Sequence, residues 1–307
     1  MSAPATGSAL LPSLAIILSA FFWGSMWMPM HALYGTGLSG AWSAWLIYGV
    51  PILVTLPLVL RNGTASLRGG GWPLFWLGLS TGACNYLYAA GVVYGDVARI
   101  VLLFYVNPVW SVLLERAILG TRLSRGRVAA LILGLGGMWI LNYDGQGLPL
   151  PRNVAEWAGL IAGFCWAVAL VCMRMTPNIG MVEKAFSQYV VAVLVGGLIL
   201  AVGIFPPQET WSVVQWDKAA FWIVVIAVVW VVPSLLLSFW GAARLSPTRA
   251  SMLFMVEVVV GVVTAAIWAG SALGWRELVG GAIIISAGLV EILFGTHETP
   301  AKQAATS

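Results

Sequence analysis

A succession of long apolar segments, separated only by short polar breaks, is the feature that most constrains this chain. No Asp, Glu, Lys or Arg occurs from Met1 to Leu60, and over all 307 residues 60% are hydrophobic and only 8% are charged. Because a soluble protein carries roughly 25% charged residues, most of this chain cannot have water as its solvent. A bilayer is crossed by a helix of about 20 apolar residues. The sequence therefore predicts an all-α polytopic membrane protein.

The apolar segments predict ten transmembrane helices, five on each side of one long linker. This linker, Asp144 to Asn153, has the Gly and Pro content of a non-helical connection. We therefore expect an N-terminal five-helix unit over residues 1–148, a C-terminal five-helix unit over residues 149–295 and a disordered cytoplasmic tail over residues 296–307. The expected spans are Leu10–Leu33, Ala41–Leu60, Trp72–Tyr94, Val97–Leu119, Gly126–Tyr143, Val154–Met175, Met181–Phe205, Ala219–Ala243, Thr248–Ala269 and Trp275–Phe294.

One stretch of the first half occurs again in the second half. YGDVARIVLLFYVNPVW, at Tyr94–Trp110, aligns with the later stretch LSPTRASMLFMVEVVVG, so that Arg99 falls on Arg249 and Asn107 on Glu257. Because each half has an odd number of helices, the second half must enter the membrane in the opposite sense. The repeat therefore predicts two inverted five-helix repeats around a central cavity, an architecture typical of transporters.

The distribution of basic residues predicts the orientation in the membrane. If both termini lie on one side, that side holds most of the fifteen Lys and Arg residues, and the other side holds only Arg99, Arg152, Lys218 and Arg276. Cytoplasmic loops carry the excess of Lys and Arg, so we expect cytoplasmic N- and C-termini. The basic residues are scattered singly through short loops and form no continuous face, so nucleic acid is not an expected partner.

Glu257 is the first candidate for a functional residue. It lies near mid-membrane, where an ionised carboxylate costs roughly 2.5–3.5 kcal/mol on insertion scales. Such a group can bind a cationic part of the substrate or exchange a proton during transport. The alternative is a protonated glutamic acid that hydrogen-bonds to a neighbouring helix. Its repeat mate Asn107 lies at the mirrored depth and precedes Pro108, which frees a backbone carbonyl.

Aromatic side chains at similar depth form the second candidate set. Residues spaced four apart share one face of the first helix, and its segment Ser19–Trp23 is echoed by Ala162–Trp166. A cavity walled by rings suits a flat aromatic molecule or a cation held against π-faces, and ordinary helix packing is the alternative. The predicted cavity residues are Trp23, Trp27, Asn85, Tyr88, Tyr105, Asn107, Trp166 and Glu257.

Other polar residues near helix ends are expected to have no transport role. Arg99 and Arg249 lie in the first turns of their helices, at opposite membrane faces. They could guide a carboxylate there, but loop anchoring or snorkelling is the expected role. We expect water to reach Glu115 and Glu291 at cytoplasmic helix ends. His31, alone at a helix end, is expected to be structural.

The sequence contains no pattern that indicates metal or enzyme chemistry. Cys84, Cys165 and Cys172 lie in apolar helices at no metal-ligand spacing. The GxGxxG match at Gly35–Gly40 joins two apolar helices and follows no strand, so it lacks the context of a dinucleotide site. We therefore expect no metal, no cofactor and no enzymatic activity.

Three stretches carry a resemblance to a known family: FFWGSMW at Phe21–Trp27, GDVARIVLLFYVNPVW at Gly95–Trp110, and the second-half echo of the latter. By these residues the chain resembles the drug/metabolite transporter superfamily, in its ten-helix EamA branch. NYLYAAGVVYGD, at Asn85–Asp96, is most similar to YddG-type aromatic amino-acid exporters of bacterial inner membranes. Where the family commonly has a proline in the second repeat helix, this chain has Val258.

The resemblance implies two halves that rock around a mid-membrane site and so give alternating access. The expected function is export of phenylalanine, tyrosine or tryptophan, and of planar cationic drugs. The predicted aromatic residues would hold the ring, and Glu257 with Asn85 and Asn107 would hold the polar end. Another small-metabolite or multidrug exporter of the superfamily is the main alternative. A phosphate-carrying transporter would need a basic residue deep in the cavity and a channel a polar filter, and an intramembrane enzyme has no supporting motif.

Overall fold

The computed structural model describes residues 9–38, 40–62, 69–121, 124–142, 150–203, 211–269 and 273–294. Within these ranges the regular structure is all helical, as predicted. The expected tail over residues 296–307 and most of the linker lie outside the described residues. The α-helices are α1 (Leu10–Ser25), α2 (Trp27–Tyr34), α3 (Gly40–Asn62), α4 (Gly71–Tyr94), α5 (Val97–Phe104), α6 (Asn107–Leu119), α7 (Arg125–Asn142), α8 (Val154–Met175), α9 (Met181–Val202), α10 (Trp216–Val225), α11 (Val232–Ala242), α12 (Pro247–Phe254), α13 (Val256–Trp268) and α14 (Trp275–Phe294).

Three predicted spans are interrupted in mid-helix, which the sequence analysis did not expect. The first breaks at Met26, the fourth at Tyr105–Val106 and the ninth at Met255. At each break an amide donates to the carbonyl three residues back: Met26 to Trp23 at 3.1 Å, Val106 to Leu103 at 3.3 Å and Met255 to Met252 at 3.1 Å. Such 3₁₀-type bonds tighten the helix locally, so the amides of Met26, Val106 and Met255 remain hydrogen-bonded at the breaks.

The eighth predicted span is also irregular, with a π-helical segment at Ile226–Val231 between α10 and α11. Pro233 follows in the first turn of α11. Proline has no amide hydrogen, and its ring clashes with the preceding turn of a regular α-helix. The wider π-helical turn therefore lies where Pro233 would interrupt the α-helical hydrogen bonds.

Seven helical stretches of the described chain are long and apolar enough to cross a membrane. The three other predicted spans are helices α4, α7 and α14, which contain more polar or charged residues, such as Asn85, Arg127 and Glu291. The seven stretches are Leu10–Tyr34, Trp42–Arg61, Val97–Leu119, Val154–Met175, Met181–Val202, Trp216–Ala242 and Pro247–Trp268.

The helices pack as two groups that position the cavity described below. In the first, α8 packs against α4, α5 and α6; in the second, α1 packs against α11, α12 and α13. Glycines allow close approach, since a Cβ on Gly24 would lie 2.3 Å from the Glu257 carbonyl oxygen and one on Gly163 would lie 2.4 Å from that of Phe104. We call the end of the helices where α1 begins and α14 ends the termini face, and the other end the opposite face.

Candidate functional site: an aromatic cavity with one carboxylate

A cavity of about 770 Å³ extends from the middle of the helices to the opposite face. Its outer part is bordered by the helix-end residues Tyr34, Gly40, Val97 and Asn142. Its deep part lies next to the breaks that separate α5 from α6 and α12 from α13. Eight aromatic side chains contribute to its walls: Trp23, Trp27, Tyr34, Tyr48, Tyr88, Phe104, Trp166 and Phe254.

The deep end of the cavity is a cluster of rings in edge contact. The Trp166 and Phe254 ring centroids are 5.2 Å apart and nearly perpendicular. Across the cluster, the Tyr88 and Phe104 centroids are 4.7 Å apart, and Phe104 meets Tyr105 at 5.1 Å. The Trp166–Phe254 and Phe104–Tyr105 pairs are edge-to-face and the Tyr88–Phe104 pair is tilted. All three separations are favourable for aromatic pairs, so the floor is a packed aromatic surface.

Among the described residues that line the cavity, Glu257 supplies the one carboxylate, and none is a Lys or Arg. It lies in the first turn of α13, immediately after the break at Met255. The Tyr105 hydroxyl donates to the Phe254 carbonyl oxygen at 3.3 Å, three residues before Glu257. Among the described residues, the ion pairs Arg99–Glu156, Arg127–Glu115 and Arg127–Glu291 do not involve Glu257. The Glu257 carboxyl therefore remains available to a molecule in the cavity.

Six of the eight predicted cavity residues line the cavity: Trp23, Trp27, Asn85, Tyr88, Trp166 and Glu257. Trp27 is fixed by its indole N–H, which donates to the Thr264 hydroxyl at 2.9 Å. The Asn85 Nδ2 atom is buried and has no hydrogen-bond partner within the described structure. Because Nδ2 is itself enclosed, a molecule in the cavity reaches this donor when the Asn85 side chain rotates towards it.

Tyr105 and Asn107 do not line the cavity. Tyr105 is only 1% exposed, and its hydroxyl donates to the Phe254 carbonyl oxygen. Asn107 is fully buried, and its Nδ2 donates to the Phe104 carbonyl oxygen at 3.2 Å. Both residues lie at the break between α5 and α6, where neighbouring helices bury them.

Several lining residues were not among those predicted. Phe254 is the repeat mate of Phe104, so the sequence repeat could have identified it. Tyr48 comes from α3, for which no sequence pattern indicated a cavity face. His31, expected to be structural, borders the outer part of the cavity.

Arg99 does not snorkel, but it does anchor a loop, because its Nη2 donates to the carbonyl oxygen of Leu150, which lies just ahead of α8. Arg99 is only 6% exposed and binds Glu156 through two parallel bonds, Nε to Oε1 at 2.9 Å and Nη2 to Oε2 at 3.1 Å. This bidentate geometry is the strong form of an arginine–carboxylate pair. Arg249 instead donates from Nη2 to the Ser13 hydroxyl at 3.1 Å.

Glu115 and Glu291, expected to be hydrated, are buried at the termini face. Arg127 joins them, with Nη1 at 3.3 Å from Glu115 Oε1 and Nε at 3.3 Å from Glu291 Oε1. The second oxygen of Glu115 accepts from the Thr248 amide at 3.0 Å and from its hydroxyl at 2.5 Å. This polar network holds α6, α7, α12 and α14 together, so the cavity does not continue to the termini face.

Two further features bear on the chemistry available. In the part of the chain that the structure describes, no group of three or more His, Cys, Asp or Glu side chains could hold a metal ion. The three cysteines are unpaired thiols. What the cavity offers a ligand is therefore rings, one carboxyl group and a few uncharged donors.

Comparison with known proteins gives a family and a fold. The family model described as the EamA-like transporter family matches two segments of the chain, residues 10–143 and 153–293. A solved crystal structure superposes with a TM-score of 0.73 over 94% of this chain and 97% of its own length, at 18% sequence identity. A likeness at that identity concerns the fold alone. Among curated proteins, none matches this sequence.

Proposed function

This chain belongs to the EamA-like transporter family, and we propose that it carries small aromatic molecules with a protonated amine across the membrane. The observation that supports this proposal best is the Glu257 carboxyl in a wall that combines eight aromatic side chains with aliphatic and small residues. A carboxylate attracts an ammonium group, and the faces of Trp and Tyr attract both a cation and a flat ring. The cavity volume is within the range of about 300–1,000 Å³ typical of small-molecule sites.

Aromatic amino acids are the specific substrates that we propose, with planar organic cations as further candidates. The amine would pair with Glu257 and the ring would lie among Trp23, Tyr88 and Trp166. An amino acid also has a carboxylate, which no Lys or Arg of the wall can neutralise. The free Asn85 Nδ2 donor is the group that favours an amino acid over a simple amine, because it can donate to that carboxylate.

The proposed mechanism is alternating access in a chain built of two inverted five-helix repeats, residues 1–148 and 149–295. The bodies that move would be the two packed groups of helices, one around α8 and one around α1, each of which contains helices from both repeats. With the termini in the cytoplasm of a bacterium, the cavity would open away from the cytoplasm, which is where an exporter releases its substrate. Proton exchange at Glu257 would couple the cycle to the proton gradient.

Counterflow in proteoliposomes with labelled tryptophan, labelled tryptamine and a planar dication tests the substrate class. We expect Glu257→Gln to reduce the apparent affinity for all three compounds by about tenfold or more, because the variant no longer offers a carboxylate to their cationic group. A tenfold loss of affinity corresponds to about 1.4 kcal/mol of binding free energy. Asn85→Ala should weaken tryptophan transport and leave tryptamine transport unchanged. Glu277→Gln, the same change on α14 away from the cavity wall, is the matched control. Equal transport of all three compounds by wild type and Glu257→Gln would remove Glu257 from the site.

An imposed pH gradient tests the proton-coupling proposal separately. If Glu257 exchanges the proton, the gradient should drive uphill accumulation of substrate in the wild type and lose that effect in Glu257→Gln. Accumulation that persists in Glu257→Gln would assign the coupling to another group.

A further inference from the structure

The two broken helix pairs, α5–α6 and α12–α13, correspond residue by residue. α5 and α12 both have eight residues, and α6 and α13 both have thirteen. Their N-caps also match, because Asp96 accepts from the Arg99 amide at 3.0 Å and Ser246 accepts from the Arg249 amide at 3.2 Å. A contact made by one pair therefore predicts the position of a contact made by the other.

Each broken pair is tied to the helix on which it packs. Arg99 of α5 binds Glu156 of α8, and Arg249 of α12 binds Ser13 of α1. Glu156 and Ser13 occupy the same place when the two echoed segments, Ser19–Trp23 and Ala162–Trp166, are aligned. These matching ties indicate that α5 moves with α8 and that α12 moves with α1.

The two groups meet at the termini face, where α6 packs against α12. Glu115 of α6 accepts both hydrogen bonds from Thr248 of α12. One and two turns back along α6, Ser111 and Asn107 are fully buried, and Ser111 Oγ and Asn107 Oδ1 have no hydrogen-bond partner within the described structure. Buried polar atoms without partners gain hydrogen bonds when water reaches them, so this interface is suited to separate.

The counterpart helices α5 and α13 both line the cavity, and they are not among the closely packed helix pairs of the described structure. Ala98 is the counterpart of Thr248, and Ala265 is the counterpart of Glu115; both alanines line the cavity. Gly261, the counterpart of Ser111, lies one turn from Ala265 on the same lining face. Small residues four apart let two helix backbones approach closely, so these walls are shaped to come together.

We infer that this protein has a second end state in which α13 closes on α5 with Ala265 against Ala98, while Glu115 separates from Thr248. The inference rests on the proposed transport function and names the residues of its two gates. The gate at the termini face is polar and ionic, whereas the gate at the opposite face is a contact between small apolar side chains. In the second state the site around Glu257 opens to the termini face, past Asn107 and Ser111.

Disulfide trapping in the purified full-length chain in proteoliposomes tests this inference. The gate pair is Ala98→Cys with Ala265→Cys, and a register control, Ala98→Cys with Val258→Cys, places the second thiol two turns deeper on the same lining face. A constant control, Ser19→Cys with Ser238→Cys, joins two helices of one group whose hydroxyl oxygens are 2.7 Å apart. Mass spectrometry of the linked peptides separates these disulfides from any formed by native cysteines.

Each pair is compared with and without Glu115→Gln, which weakens the closed gate at the termini face. We expect Glu115→Gln to raise the yield of the gate-pair disulfide several-fold and to leave both control pairs unchanged. Thr248→Val, which removes only the hydroxyl bond, serves as a second perturbation if Glu115→Gln does not fold. In the same backgrounds, Ser111→Cys should become reactive towards a water-soluble maleimide in detergent solution.

Two results would overturn the inference. One is a gate pair that cross-links no faster than the register control in every background. The other is a Ser111→Cys thiol whose reactivity rises without any rise in the gate-pair disulfide, because the two gates would then not be coupled. Formation of the gate-pair disulfide requires no substrate, so it is independent of the transport assays. If the gate pair cross-links as expected but none of the three compounds is transported, the proposed substrates are rejected and the second end state is retained.

Discussion

Gly24→Ala is the perturbation for which the structure gives the clearest magnitude. Gly24 lies near the end of α1, where a Cβ would be 2.3 Å from the Glu257 carbonyl oxygen, 2.8 Å from the Val260 Cβ and 3.1 Å from the Gly261 amide nitrogen. Two of these three atoms are backbone and cannot rotate away. The variant must therefore push α1 and α13 apart at the residue that carries the cavity carboxyl.

Overpacking of this kind costs about 1–3 kcal/mol, and replacing a helical glycine by alanine returns about 0.5–1 kcal/mol. We expect Gly24→Ala to lower the free energy of unfolding by a net amount of about 1–2 kcal/mol. Gly49→Ala is the matched control, since it is also within a helix but a Cβ there would meet nothing within 4 Å. That control should be neutral or more stable than the wild type.

Thermal unfolding in detergent, followed by intrinsic tryptophan fluorescence, measures both variants, and equilibrium binding of the substrate measures the displacement of Glu257. Gly24→Ala should melt below Gly49→Ala and should bind more weakly. If Gly24→Ala is as stable as Gly49→Ala and binds as tightly as the wild type, the close approach of α1 to α13 does not exist as described, and the position of Glu257 must be reconsidered.

Three further outcomes follow from single contacts. Arg99→Met should destabilise the protein by about 3–5 kcal/mol in chemical unfolding, because it leaves the buried Glu156 carboxylate unpaired, whereas Arg116→Met on the exposed side of α6 should change stability by less than about 0.5 kcal/mol. Ser19→Ala removes the buried hydroxyl that bonds to two serines of α11 and should lower thermal stability by about 1–3 kcal/mol. Trp166→Ala should lower substrate affinity in equilibrium binding by more than it lowers stability, and an unchanged affinity would place the ring-binding surface elsewhere.

Much of the site could be predicted from the sequence because helical periodicity and depth are local properties. Residues spaced four apart on the first helix, Trp23 and Trp27, indeed share the cavity wall. The repeat that aligned Asn107 with Glu257 also drew attention to the two stretches in which both helix breaks occur.

Other features depended on partners that are distant along the chain. Arg99 looked like a membrane-end residue until Glu156, 57 positions later, was brought against it. Glu115 and Glu291 are at helix ends, where hydration is the ordinary expectation, and only the packing of α6 against α12 and of α7 against α14 buries them.

The sequence by itself determined the all-helical class, the membrane as solvent and the family, because the scarcity of charged residues and the recurring motifs can be recognised without knowing any tertiary contact. The tertiary structure decided which side chains face the cavity. Asn107 and Glu257 occupy matching positions after their helix breaks, yet Asn107 is fully buried while Glu257 lines the cavity. No local pattern separates the two positions, because the helices packed on either side decide which of them borders open space.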